Sequence, residues 1–480
     1  MYDVCIIGGG VIGCAIAREL SRYDLSIVLL EKHSDVAEGS TKANSAIVHA
    51  GFDAKPGSQK ARTNVAGNRL FADWCRELDV PYRNNTSLVV AFAEQDLPGL
   101  HELLERGRQN GVPGLSILSE AELRTLEPNL APTACGALLA ETGGICCPYE
   151  LTIALATQAV LNGVQLELNC LVQSVSRAAD DSFSINTNRG QYNSRILINA
   201  AGAYADQINN QLSEDKFTIL PRRGEYWMID KSFGATFSAT IFQVPTAMGK
   251  GVLITPTVEG TMIIGPTAED IEGREDVRTT ACGLEQILRV AAISWPEIPR
   301  RSFITTFAGI RAHSDRNDFI LGESPDVPGL INAAGIESPG LTSAPVIGIE
   351  LAQLAAGKLN SRLKPEYLPP WITVKSFRQM GTSDRQAAIA ANPAYGRIIC
   401  RCEQISEAEI RAAIRRPLGA TTADGVKRRT RAGMGRCQGG FCTPRVLDIL
   451  SEELGVSHLE LTKFGGQSHI LTGKVGQKHD

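Results

Sequence analysis

Two groups of residues in this 480-residue chain have the types and spacing to do chemistry. The first is Gly8-Gly9-Gly10-Val11-Ile12-Gly13, a G-x-G-x-x-G run directly after an apolar strand pattern and at the start of a helical one. In such a turn Gly8 permits the tight bend, Gly10 lets a pyrophosphate approach the backbone, and Gly13 lets helix and strand close together. The phosphate charge is met by the helix N-terminus. Glu31 ends the second apolar run, 18 residues after Gly13, where a carboxylate can accept hydrogen bonds from ribose hydroxyls. The second group is four of the 12 cysteines: Cys400 and Cys402 as C-x-C, Cys437 and Cys442 as C-x4-C, with 34 residues between the pairs. Four thiolates so spaced can ligate zinc or an iron–sulfur cluster. C-x4-C suits a structural zinc site and C-x-C does not, while unligated thiols this close would be prone to oxidation.

More residues gather around the dinucleotide signature. After Glu31 comes a stretch too polar for core, containing Ser40, Thr41, Asn44, Ser45 and His49. It can offer hydroxyls, amides and backbone N–H groups to a second phosphate and a ring system. Asn199-Ala200-Ala201-Gly202 and the run from Gly335 through Gly340, Leu341 and Thr342 are two further strand-then-glycine turns. A cofactor touched by several distant segments fits FAD better than a mobile nicotinamide. A flavin that oxidises an alcohol or amine carbon also needs an anchor for the substrate anion, an acceptor for the leaving proton and a dry face for hydride transfer.

These residues require particular elements to hold them. Residues 3–7 and 26–30 read as buried parallel strands flanking a helix that opens near Val11, a βαβ unit. Residues 195–199 and 330–332 read as further strands leading into the glycine turns. Residues 86–93, 224–229, 251–255 and 261–264 have hairpin-like spacing, with Glu259-Gly260 as the turn between the last two. The expected fold class is therefore α/β, a parallel nucleotide-binding fold with an inserted antiparallel sheet. Proline-rich residues 363–395 read as a linker to a small C-terminal unit. That unit, from residue 395 on, carries 14 Lys and Arg against 9 Asp and Glu, a net of +5, which leaves −9 on the remainder of a chain whose total is −4. This balance gives no case for nucleic acid, and no apolar stretch reaches the ~20 residues of a membrane helix. The other eight cysteines, Cys5, Cys14, Cys75, Cys135, Cys146, Cys147, Cys170 and Cys282, are expected to be buried thiols in a reducing, cytoplasmic setting.

The fingerprint, the Ser40 to Gly51 segment, the turn ending at Gly202 and the Gly335 to Thr342 turn together resemble the FAD-dependent oxidoreductases of the D-amino-acid-oxidase class. The resemblance is to the branch holding L-2-hydroxyglutarate oxidases and glycerol-3-phosphate-dehydrogenase-like flavoproteins, over about residues 1–360. It implies a Rossmann-type FAD-binding domain from residues 1–85, 145–215 and 300–362, and a substrate domain from 86–144 and 216–299 whose sheet roofs the flavin. It also implies that His49 lies near the flavin and that Arg311 holds a carboxylate or phosphate over it. Arg223, Tyr226 and Lys250 are further candidates for the same pocket. The surroundings of the four paired cysteines resemble the bacterioferritin-associated-ferredoxin-like domain, which implies a [2Fe–2S] cluster in a small α-rich unit over 396–480, with zinc as the alternative. The longer second gap matches versions of that domain fused to flavin dehydrogenases.

The expected function is oxidation of a small anionic hydroxy acid or glycerol 3-phosphate, with electrons leaving singly through the cluster to a redox partner or a quinone pathway. An amine or amino-acid (opine-like) oxidoreductase, and a flavoprotein with a zinc-binding interaction module, are the alternatives. The basic run Lys427-Arg428-Arg429-Thr430-Arg431 with Arg436 is either a solvated helix face or a set of cations that offsets the cluster and steers an acidic partner. Such a partner would place the enzyme at the inner face of the membrane without a transmembrane segment.

Overall fold

The computed structural model describes residues 1–245, 251–372 and 376–473; Lys250 lies outside them. The first sheet is built on Tyr2–Ile7, whose Val-Cys-Ile-Ile run is buried on both faces as a central parallel strand requires. It lies between Ile27–Leu30 and Gly190–Asn199, parallel to both. Leu330–Ala334 continues the parallel set beside Asn199. In register, Ile7 faces Leu30 and Asn199, and Asn199 faces Asn332. The carboxyl ends of these strands therefore release Gly8, Glu31, Gly202 and Gly335 at one edge, where open α/β sheets bind ligands. Helix Val11–Leu20 is buried along its whole length beneath Gly340–Lys358 and Pro148–Leu161. Its Arg18 is fully buried, held by Glu19, Glu77 and Gln158.

Among the described residues the second sheet has nine strands. Its long pair is Ile219–Ile229 against Phe303–Ser314, antiparallel from Ile219↔Ser314 to Ile229↔Phe303. The expected hairpin is present: Leu253–Pro256 pairs with Met262–Gly265 around Gly260, whose φ is +87°. Two expectations need correction. Phe303–Ser314 belongs to this sheet and not to the FAD-binding unit, because its alternating residues match the strand opposite. The stretch 363–395 is not a loose linker. It contains helix Thr382–Ala391, and its start is bonded to the first unit by Lys364 N–H to Arg22 O at 2.8 Å.

The C-terminal unit is a short hairpin, Ile398–Cys400 with Ile405–Ser406, followed by helices Glu407–Arg415, Ala423–Thr430 and Thr443–Leu454. Ser406 and Glu409 form a reciprocal capping box at the first helix. Ile410, Val426, Val446 and Leu450 fill its small core. Of the eight single cysteines, six are buried as expected. Cys135 is half-buried and Cys282 is exposed in the first turn of a surface helix, which corrects the reading of all eight as packing thiols. Among the described residues no helix is long and apolar enough to cross a membrane.

Candidate active site and cluster centre

At the nucleotide end the glycines are sterically required. Gly8 has φ +109°, and a Cβ there would fall 2.3 Å from Ala200 O; one on Gly13 would fall 1.9 Å from Gly8 O. Gly10 opens the first helix with no side-chain cap, and beside it Val11 N–H donates to Thr41 Oγ1 at 3.1 Å. A bare, glycine-lined helix N-terminus is the cradle that a pyrophosphate needs. The Glu31 carboxylate is fixed by Gly9 N–H at 2.6 Å and His33 N–H at 2.9 Å. Ser40 Oγ donates to Ile310 O, which ties this loop to the second sheet. Asn44 is spent on the loop itself, bonding the carbonyls of Ser40 and Thr41 and the N–H of Ala46. These residues fit FAD, whose other contacts would come from Gly202, at φ +56°, and from the turn between Gly335 and Thr342.

That turn and the polar loop meet at His49. His49 N–H donates to Thr342 Oγ1 at 2.9 Å, and its Nε2 lies 3.1 Å from Ser338 Oγ. Leu341 packs on the core and Gly340 closes on Ile336, so the turn is rigid where it touches His49. Ser45 Oγ lies 3.3 Å from Tyr226 OH, and the Tyr226 ring is stacked on Phe307 at 4.7 Å. Arg311, opposite Arg222 across the long strand pair, donates from both terminal nitrogens to Thr267 O at 3.3 and 3.2 Å. Among the described residues no carboxylate lies within ion-pair distance of it. Its charge is therefore available to an anion.

Arg223 is a correction. Alternation puts it on the other face of the strand, buried and ion-paired with Glu269 at 2.6 Å and Asp276 at 3.0 Å, with Glu225 at 3.7 Å. It holds the sheet and is not in the pocket. Three residues that the sequence reading missed cluster beside Arg311. His313, two positions along the same strand face, has Nδ1 2.9 Å from Glu337 Oε1, and Lys60 Nζ reaches the same oxygen at 2.8 Å. Burial pushes the Glu337 carboxyl up, but Lys60 and His313 together hold it below its ordinary range. The i, i+2 spacing of Arg311 and His313 and the position of Glu337 within the glycine turn were the available signals.

The four cysteines converge from two loops. Cys400 ends the hairpin strand and Cys442 immediately precedes helix Thr443–Leu454. Cys402 Sγ and Cys437 Sγ are 3.7 Å apart, and Cys400 and Cys442 are close enough to titrate together. Cys442, against burial and with help from the N–H groups of Gly433 and Glu403, pulls the Cys400 thiol down to about 6. Gly435 leaves room for this approach, since a Cβ there would fall 2.2 Å from Cys402 Cβ. Two thiolates on one tetrahedral iron sit about 3.8 Å apart, given metal–sulfur bonds of about 2.3 Å. Two such pairs suit a dinuclear cluster.

Arg428, Arg429 and Arg431 of the basic run turn inward, which corrects for them both the solvated-face reading and the reading as cations that steer a partner. Arg428 pairs with Asp35 at 3.1 Å and with Glu38, and Arg429 pairs with Asp35 at 2.6 Å. Arg431 reaches Glu403 at 3.0 Å, where Arg378 and Lys231 also converge. What remains on the surface near the cysteines is Arg401, Arg436 and the ring of Phe441, which is 86% exposed.

Comparisons with known proteins agree with this geometry. Residues 3–354 match the family model of the DAO FAD dependent oxidoreductases, and residues 398–452 match the BFD-like [2Fe-2S] binding domain. A glycerol 3-phosphate dehydrogenase of Caloramator mitchellensis is 48% identical over 98% of both chains. An L-2-hydroxyglutarate dehydrogenase of Indibacter alkaliphilus is 32% identical over 62% of this chain and 74% of its own. The solved structure of L-alpha-glycerophosphate oxidase from Mycoplasma pneumoniae with FAD bound superposes with a TM-score of 0.74 at 32% identity, covering 77% of this chain and 99% of that one. The chain belongs to the DAO family of FAD-dependent oxidoreductases and carries a C-terminal [2Fe–2S] domain.

Proposed function

We propose that this enzyme oxidises glycerol 3-phosphate at its secondary hydroxyl and passes the electrons through its cluster to an acidic redox partner. The observation that carries the substrate reading is Arg311, a cation on the pocket face with no carboxylate partner among the described residues. It suits a phosphate dianion, and the relative that matches along nearly the whole chain is named for that substrate. Bound in the cradle, FAD supplies the two-electron acceptor and the cluster a one-electron outlet. Arg311 anchors the anion and His49 takes the hydroxyl proton, with Ser338, 3.1 Å from Nε2, setting the ring's orientation. The stacked Tyr226 and Phe307 close the roof against water. The oxidase structure aligned over 99% of its length leaves about a quarter of this chain unmatched, and the added part carries the cysteines. That supports an electron outlet other than oxygen. Phe441, with Arg401 and Arg436, gives an acidic partner an apolar contact and charge beside Cys402.

An anaerobic panel tests the reading. Glycerol 3-phosphate should bleach the flavin within turnover time, and amino acids should leave it oxidised. Bleaching by amino acids alone overturns the substrate assignment, and peroxide release equal to turnover in air overturns the electron route.

A further inference from the structure

Two parts of the C-terminal unit grip one short loop of the flavin domain near its nucleotide end. Arg428 pairs with Asp35 and Glu38, Arg429 makes bonds of 2.6 and 3.0 Å to the two oxygens of Asp35, and Phe464 O accepts from Ser34 Oγ at 2.9 Å. Both arginines and both acids are nearly withdrawn from solvent, so these pairs are not screened as surface pairs are. The gripped loop, residues 34–38, has its other side on the glycine turn: Ala37 N–H donates to Gly9 O at 2.9 Å. Two residues later it delivers Ser40 and Thr41, and Thr41 meets the first helix at Val11 N–H.

We infer that Arg428 and Arg429 of the iron–sulfur domain are positioning residues for FAD, holding the 34–38 loop so that Thr41 and the glycine turn keep their shape around the pyrophosphate. This rests on the assignment of that turn as the FAD cradle. It makes the cluster domain part of the flavin site, so flavin retention depends on residues about 390 positions from the loop they hold.

The test uses full-length holoprotein and follows FAD release by flavin fluorescence after dilution, well below the melting temperature. Arg428→Ala and Asp35→Asn should each speed release about tenfold or more with the cluster absorbance unchanged, and Arg428→Lys should restore part of the loss. Arg378→Ala, which removes bonds from the segment leading into the cluster domain to Glu259 and Glu403, should leave release at the wild-type rate. If Arg428→Ala does not fold, Asp35→Asn and Arg428→Lys carry the test. Equal release from Asp35→Asn and wild type, or equal acceleration by Arg378→Ala, overturns the inference. Gly10→Ala separates it from the cradle assignment: tight FAD in that variant would sink the cradle itself, whereas FAD loss there with none in Asp35→Asn would sink only the role of the arginines.

Discussion

The guanidinium of Arg311 lies across Gly224, so closely that a Cβ on Gly224 would fall 2.6 Å from Arg311 Nη2. The two residues lie diagonally across neighbouring strands, Gly224 pairing with Gly309 and Arg311 with Arg222, and the missing side chain of one sets the place of the other. Gly224→Ala should therefore displace the anchor without removing it, raising KM for the anionic substrate about tenfold at nearly constant kcat. Arg311→Ala should lower kcat/KM by about 100- to 1,000-fold. Steady-state kinetics with an artificial acceptor measures both.

Arg223, one position away, should behave oppositely. Its removal leaves Glu269, Asp276 and Glu225 without their shared cation in a part-buried site. Arg223→Ala should cost about 3 kcal/mol of stability in thermal or denaturant unfolding, while KM of the surviving protein stays near wild type.

His49→Asn should lower kcat about 100- to 10,000-fold, as expected for loss of a proton acceptor, with FAD still bound. Ser338→Ala, which only frees the ring's hydrogen bond, should cost about threefold to tenfold. Rapid mixing of enzyme with substrate, read at the flavin band, places the loss in the reductive step.

Cys400→Ser and Cys442→Ser should each abolish the cluster's visible absorbance, because each removes one of the four thiols that would hold it. On the proposed route, flavin bleaching by substrate should persist in these variants while transfer to a one-electron acceptor falls by more than about tenfold. Unchanged one-electron transfer would remove the cluster from the path.

Glu150, in the first turn of helix Pro148–Leu161, gives a pH prediction. Burial, and then the neighbouring Glu259, push its carboxyl up to about 7 against the opposing pull of Arg431. A folded value above the ordinary 4.5 means the group favours the folded state at low pH, and that contribution fades as pH rises through about 7. The wild-type Tm should fall between pH 5.5 and 8, with about 1–3 kcal/mol at stake, and Glu150→Gln should flatten that slope.

The parallel core, the hairpin at Gly260 and the paired cysteines were legible because their signals are local: apolar runs, a turn residue, a spacing. That Arg223 faces away from Arg311 was not. Arg222, Arg223 and Arg311 look alike as letters, and only the pairing of Arg222 with Arg311 puts Arg223 on the back face. Phe303–Ser314 was assigned to the wrong unit because a strand's sheet is chosen by its partner, 80 or so residues away. The fate of Arg428 and Arg429 was equally hidden, since Asp35 and Glu38 share no local pattern with them. The Lys60, His313 and Glu337 group joins three distant segments, and a lone histidine gives no warning of such company.

The stretch after the flavin domain is stitched down where it leaves it: Leu363 bridges Tyr23, Arg22 lies over the Tyr367 ring at 4.7 Å, and Leu368 N–H reaches Asn162 at 2.8 Å. Farther on, Phe377 N–H bonds Glu409 of the cluster domain at 3.1 Å. Such a connection is no swinging arm. On the proposed route, an electron leaving the flavin would meet the cluster at a set tunnelling distance on every turnover, and the encounter left to diffusion would be the one at the outer face, beside Phe441.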